Sequence, residues 1–245
     1  MDETVHVWFA YRQLLDDAAI RARLEALLSP DESERRDRMK FEDGRREQLL
    51  TRGMLREVLS HHAPAILPRD WRFVRSDTGR PSLSPPFDAT GLHFNVTHSG
   101  GLVAIAIGRM PLLGIDVEHE TRAISPAITR RHFSASEVAA LESLPPEQHQ
   151  RHRLRLWTLK EAYLKAIGTG VAGGLGSATF GFHPDGAIDF ERDDDPHAKH
   201  WTFREFNPRG FMLALAYLDA AAGFPAQPRL REYRGRSHQE QRTQP

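Results

Sequence analysis

Two short segments carry the most chemistry in this chain. In Gly114-Ile115-Asp116-Val117-Glu118, apolar and acidic residues alternate. An extended strand turns successive side chains to opposite faces. Ile115 and Val117 then share one face, and Asp116 and Glu118 the other, with the carboxylates roughly 6–7 Å apart along the strand. Two negative charges ~5 Å apart repel by about 3 kcal/mol at an effective dielectric of ~20. A divalent cation turns that repulsion into attraction, and oxygen-only ligands favour Mg²⁺ or Mn²⁺ over zinc. Taken alone, the pentapeptide reads more simply as an edge strand with two solvated acids.

The second segment is Trp157-Thr158-Leu159-Lys160-Glu161-Ala162-Tyr163-Leu164-Lys165. Residues four apart lie on one helix face, so Trp157, Glu161 and Lys165 form a row. Leu156, Leu159, Tyr163 and Ile167 supply a buried side. By itself the Glu161/Lys165 spacing fits a surface ion pair worth a few tenths of a kcal/mol. Two further groups bear on anion binding. Phe94-Asn95-Val96-Thr97-His98-Ser99 ends in hydrogen-bonding side chains, and His98 could donate to a phosphate oxygen. Arg35, Arg36, Arg38 and Lys40 read either as a solvated helix face or as a phosphate patch.

These residues need elements to hold them. Residues 5–9 alternate as a strand, and residues 18–28 read as a helix closed by Ser29-Pro30. Asp31-Glu32 opens a helix expected to run to Ser60, acids in a first turn suiting the helix dipole. Residues 71–74 alternate as a strand, and Asp77-Thr78-Gly79-Arg80-Pro81 is turn chemistry. Residues 92–96 and 102–107 form a hairpin around Ser99-Gly100-Gly101. After the connector at 109–111 come a strand at 113–117, a helix at 134–144 with Glu137 at the capping-box position, and a helix at 147–167 ended by Gly168 and Gly170. Residues 180–182, 187–190, 201–206 and 211–218 read as strands. From about Pro225 the chain is polar and reads as disordered.

Composition narrows the chemistry. Lys plus Arg equals Asp plus Glu, 33 each, so no general charge draws the chain to nucleic acid or membrane. The absence of cysteine excludes disulfides and thiolate chemistry, and fits a reducing compartment. No apolar run approaches ~18 residues, and the start lacks a signal pattern, so the expectation is a soluble cytoplasmic protein.

Each feature is weak alone, but their order is not. Gly79-Arg80-Pro81, the segment 94–99, Gly114-Ile115-Asp116-Val117-Glu118, Phe133-Ser134-Ala135-Ser136-Glu137 and the segment 157–165 follow one another as five motifs do in the surfactin-type 4′-phosphopantetheinyl transferases. The chain resembles that family from about Asp31 to Gly170. The resemblance implies transfer of 4′-phosphopantetheine from coenzyme A to a serine of an acyl or peptidyl carrier protein, with release of 3′,5′-ADP.

Residue by residue, it implies metal ligation by Asp116, Glu118 and Glu161. It makes Glu161 the general base, directly or through water, and Lys165 the group that balances or protonates the leaving phosphate. It places Thr97, His98 and Ser99 at the coenzyme A, His98 on the pyrophosphate, Arg80-Pro81 at the adenine and Arg35 at the 3′-phosphate. Glu137 matches a family acid near the metal. Glu32 stands where some relatives have lysine, and Met39 where many have an aromatic residue. The implied fold is α+β, two similar subdomains, each a small antiparallel sheet packed with helices, with the active site in the cleft between them. The expected division is 1–108 on the nucleotide side, a connector at 109–113, 114–224 carrying the metal and catalytic residues, and a disordered tail at 225–245. The implied cofactor is Mg²⁺, or Mn²⁺, and the implied state a monomer. Arg130, Arg131, Arg151, Arg153 and Arg155 are candidates to receive an acidic carrier domain. A nucleotide pyrophosphohydrolase would share the acidic strand without needing the 157–165 helix.

Overall fold

The computed structural model describes residues 4–76, 79–170, 174–218 and 227–235. The chain divides into two compact units, Met1–Arg109 with Gln227–Pro245, and Met110–Ala226. Both mix helices with small sheets, so the α+β expectation holds.

In the first unit, β1 (His6–Tyr11) lies between β11 (Arg229–Glu232) and β5 (Leu102–Gly108), and β5 pairs with β4 (His93–Ser99). The β4–β5 hairpin turns on Gly100 and Gly101, whose φ of +56° and +90° suit a two-residue turn. Alternation in β4 turns Phe94 and Val96 toward the core that α3 (Glu42–His62) fills with Leu50, Met54 and Val58. β2 (Phe73–Arg75) and β3 (Pro81–Leu83) form a small ribbon.

Two expectations change here. The single helix from residue 31 to 60 is two helices, α2 (Pro30–Asp37) and α3, parted by extended backbone at Phe41. No glycine or proline marks the break. α2 starts on a reciprocal capping box between Ser29 and Glu32 and packs across α3, which a continuous helix could not do. The second change is the disordered tail. Residues 229–232 pair in parallel with β1, and Tyr233 is buried, its hydroxyl donating to Glu57 Oε2 at 2.5 Å. Arg23 Nε donates to the other Glu57 oxygen at 3.0 Å and its Nη2 to Gly235 O, so a buried carboxylate anchors a segment too polar to announce itself. Asp77 and Thr78 of the expected turn lie outside the described residues.

In the second unit, β6 (Leu113–His119) and β9 (Trp201–Phe206) flank β10 (Phe211–Leu218), all antiparallel. The long α6 (Pro146–Ile167) packs on this sheet. Its buried side is Leu156, Leu159, Tyr163 and Leu164, and Gly168 ends it at φ +76°. α4 (Pro126–His132), not foreseen, and α5 (Ala135–Glu142) precede it, and a hairpin of β7 (Thr179–Phe182) and β8 (Ile188–Glu191) follows. Phe180, Phe190, Tyr163, Trp201 and Phe203 pack ring against ring beneath it.

One glycine sets the depth of that packing. A Cβ on Gly114 would lie 2.0 Å from Ala162 O and 2.4 Å from Ala166 N, both backbone atoms of α6. Its cross-strand neighbour is Ala216, and Ala214 lies opposite Asp116. Small residues therefore let α6 rest directly on the acidic strand. Gly114→Ala forces helix and strand apart. The expected cost is about 2–3 kcal/mol, from overpacking against backbone that cannot repack, read as a lower urea midpoint.

Candidate active site

The face of β6 that touches α6 carries Gly114, Asp116 and Glu118. Strand alternation thus does what the spacing suggests, but the acids are not solvated. Asp116 is 5 % exposed and Glu118 6 %. α6 brings Glu161 and Lys165 to the same place, because they are one turn apart on the face that Gly114 admits. Lys165 Nζ lies 2.6 Å from Asp116 Oδ1. The expected surface pair between Glu161 and Lys165 therefore gives way to a tertiary one, in which the lysine reaches across to the strand.

Glu161 is half-buried, and its pKa is raised above the usual carboxylate range. Burial is the largest cause and the Asp116 charge the next, while Lys165 and Arg122 oppose them. The charged form is thus held under repulsion. Arg122, which sequence reasoning did not single out, forms an ion pair with Glu118, and its guanidinium lies over the Trp157 ring, 5.4 Å from the centroid. Only a tight turn after β6 puts it there, so no local pattern could have flagged it.

Three carboxylates thus meet two cations. As placed, no three acidic or imidazole groups among the described residues form a ready ion cage. Lys165 and Arg122 occupy Asp116 and Glu118 instead. The donor set nevertheless fits a hard divalent cation. All three groups offer carboxylate oxygens, and the burial and the Asp116 charge that raise the Glu161 pKa are what such an ion would offset.

Glu137 takes the capping-box position expected of it. It is fully buried and closes a capping box with Ser134. Its Oε2 lies 2.9 Å from Lys160 Nζ, and its Oε1 accepts from Phe180 N at 2.9 Å. Lys160, equally buried, also donates to Leu175 O at 2.9 Å and to Ala178 O. Both carboxylate oxygens are engaged in this brace, which ties α5, α6 and β7 together one residue from Glu161. Burial lowers the Lys160 pKa, and Glu137 opposes that shift.

The nucleotide-side candidates all lie in the first unit. Arg35 lines a cavity of about 500 Å³ with Arg52, Arg69, Arg72, Arg75 and Pro81. Glu32 accepts from Arg56 Nη2 at 2.8 Å and lies 3.8 Å from Arg52. Burial first, and then the charges of Arg75, Arg35 and Arg56, lower the Arg52 pKa, with Glu32 opposing. Cations crowded in this way select an anion. Arg36 and Arg38 are instead taken up by Glu25, Asp37 and Glu34, as a solvated face would be. Arg80 is partly buried, which lowers its pKa, and burial first and the Arg80 charge second lower that of His93. His98 Nδ1 lies 2.7 Å from Glu47 Oε1, while alternation in β4 puts Thr97 and Ser99 on the opposite face. The trio therefore does not present its side chains together.

Two family models match the chain in succession. Residues 19–109 match the model for the N-terminal part of 4′-phosphopantetheinyl transferases, and residues 112–216 match the 4′-phosphopantetheinyl transferase superfamily model. The chain is 33 % identical to the 4′-phosphopantetheinyl transferase HetI of Nostoc sp., over 95 % of this chain and 94 % of that protein. It is 30 % identical to the 4′-phosphopantetheinyl transferase Sfp of Bacillus subtilis, over 79 % and 83 %. A holo-(acyl-carrier-protein) synthase structure from Bacillus anthracis in complex with CoA (3′,5′-ADP) superposes with a TM-score of 0.40 at 18 % identity, over 44 % of this chain and 96 % of that one. The chain belongs to the 4′-phosphopantetheinyl transferase superfamily. Among the described residues, no helix is long and apolar enough to cross a membrane.

The raised pKa of Glu161 has a measurable consequence. The folded state holds this proton more tightly than the unfolded chain does. Stability is therefore lost as pH rises out of the ordinary carboxylate range through the higher folded value. Without divalent cation, Glu161→Gln should be more stable than wild type at neutral pH, by about 1 kcal/mol at most because solvent still reaches the group. The difference should vanish at pH below the carboxylate range. Urea denaturation across pH checks this.

Proposed function

We propose that the acidic site transfers 4′-phosphopantetheine from coenzyme A to the serine hydroxyl of an apo carrier protein. Family membership supports the reaction class, and the meeting of Asp116, Glu118 and Glu161 with Lys165 supports the assignment of roles. Asp116, Glu118 and Glu161 would hold Mg²⁺ or Mn²⁺, which supplies Lewis-acid stabilisation of phosphate charge when bound.

The remaining work falls to the chain's own groups. The serine oxygen attacks the phosphorus on the pantetheine side of the pyrophosphate, and the bond to the oxygen of 3′,5′-ADP breaks. Glu161 takes the serine proton, directly or through water; a carboxylate of raised pKa is a stronger base than an ordinary one. Lys165 donates to the leaving phosphate. Three carboxylates and one divalent cation sum to minus one, so a pyrophosphate needs these added cations to settle there. The arginine-lined cavity of the first unit takes the 3′-phosphate, with Arg35, Arg52 and Arg75 as its grip and Pro81 on its wall toward the adenine. Glu32, where some relatives have lysine, contributes by holding Arg52 and Arg56 in place. His98, paired with Glu47, is the donor offered to the pyrophosphate.

The acceptor is a carrier domain, acidic around its serine. Of the candidate docking arginines, Arg155 drops out, because Glu205 grips its Nε and Nη2 at 2.5–2.8 Å and it lies over Phe182. Arg130, Arg131, Arg151 and Arg153 remain, of which Arg130 and Arg131 are exposed side by side on the last turn of α4.

Mass spectrometry of an apo carrier protein incubated with coenzyme A and Mg²⁺ tests the reaction. The expected outcome is a gain of one phosphopantetheine; release of 3′,5′-ADP without that gain means hydrolysis instead. Asp116→Ala and Glu161→Ala should each lower kcat by at least ~10²-fold, as loss of a charge-stabilising or base group does. Full activity in either variant contradicts the roles. Charge reversal at Arg130 and Arg131 together should raise the carrier KM and leave that for coenzyme A unchanged; unaltered carrier kinetics would remove α4 from docking.

A further inference from the structure

Arg122 is held in an unusual way. Its backbone is fixed on both sides: Arg122 N donates to His119 O at 2.8 Å, and Gln150 of α6 donates to Arg122 O at 2.5 Å. His119 Nδ1 lies 2.8 Å from Thr121 Oγ1 and closes the same turn. Ile124 and Ile128 seat the following residues against Leu154, Met212 and Trp157. The turn is thus built, and it delivers one guanidinium to the acidic site.

There the side chain has two partners of different kinds. It pairs with the buried Glu118, and it lies over the Trp157 ring, 5.4 Å from the centroid. The arginine side chain is 41 % exposed, against 30 % for Lys165 on Asp116. The pair therefore has one buried end, the carboxylate, and one end open to solvent, so the guanidinium can swing away without opening the core. The aromatic contact depends on the ring and not on Glu118, so it survives if Glu118 turns elsewhere.

We propose that Arg122 is the resident counter-ion of the acidic site: it holds Glu118 while no divalent cation is bound, yields it when one binds, and stays beside the site on Trp157 with its donors released to an anionic phosphate. This rests on the metal-binding reading of Asp116, Glu118 and Glu161. The physical case is one of charge. Glu118 is too buried to stand as a bare carboxylate, so it needs a cation in either state. A guanidinium and a divalent ion compete for the same oxygens. Once displaced, a positive charge next to a dication is unfavourable unless an anion joins them. Arg122 therefore weakens metal binding by itself and strengthens it when a phosphate ligand is present, which couples the two.

Titration of Mn²⁺ into the full chain, followed by electron paramagnetic resonance of the free ion, tests this. Without nucleotide, Arg122→Gln should bind Mn²⁺ about three- to tenfold more tightly than wild type, while Arg122→Lys, which keeps the charge, should stay within about twofold. With 3′,5′-ADP saturating, the advantage of Arg122→Gln should disappear or reverse. Equal or weaker Mn²⁺ binding by Arg122→Gln without nucleotide overturns the competition. A tighter Arg122→Gln that keeps its full advantage with 3′,5′-ADP overturns the hand-over to phosphate. If wild type and both variants all fail to bind Mn²⁺ at millimolar concentration, the three-carboxylate site itself falls and this inference with it. Wild-type binding with no effect at position 122 removes only the inference.

Discussion

Backbone contact between β6 and α6 at Gly114 governs the second unit. Any side chain there would meet the carbonyl of Ala162 and the amide of Ala166, so the helix can lie on the strand only because there is none. The consequences run in order. Close approach buries Asp116 and Glu118 under the helix, and it brings Lys165 within 2.6 Å of Asp116. Burial then raises the cost of every charge in the site, which is why each acid on the strand is met by a cation and why Glu161 binds its proton more tightly than a free carboxylate.

A second constraint fixes the helix along its length. The Glu137–Lys160 pair is fully buried, yet its polar atoms meet a capping amide, the amide of Phe180 and two carbonyls. Buried pairs seldom add net stability against an apolar alternative, but breaking one is costly. This pair therefore acts as a registration device. It allows α6 one position against α5 and β7, and Glu161 follows Lys160 directly in the chain. The motif that links Phe133, Ser134 and Glu137 in sequence is thus a mechanical support for the acidic site.

The first unit solves the opposite electrostatic problem. Its cavity gathers arginines, where burial first and the neighbouring arginine charges second lower the Arg52 pKa, and Glu32 offsets only part of it. Acids crowded in one unit and cations crowded in the other are both arrangements that a ligand of complementary charge relieves.

What the sequence determined was local. The alternation of Ile115, Asp116, Val117 and Glu118, the four-residue steps of Trp157, Glu161 and Lys165, the glycine hairpin at 100–101 and the Ser134/Glu137 cap all follow from the period of a strand, a helix or a turn, and all are present in the structure. The order of five such motifs carried the family as well. Partner choice was beyond it. Lys165 reaches Asp116, 49 residues away in the chain. Glu137 meets the buried Lys160, and Arg122 arrives at Glu118 through a turn to which Gln150 of α6 donates a hydrogen bond. The polar strand at 229–232 is ordered by β1 and by a buried glutamate, 176 residues distant from Tyr233. Periodicity is set by neighbours in the chain, whereas the burial that decides which charges must meet is set by elements that only the folded chain brings together.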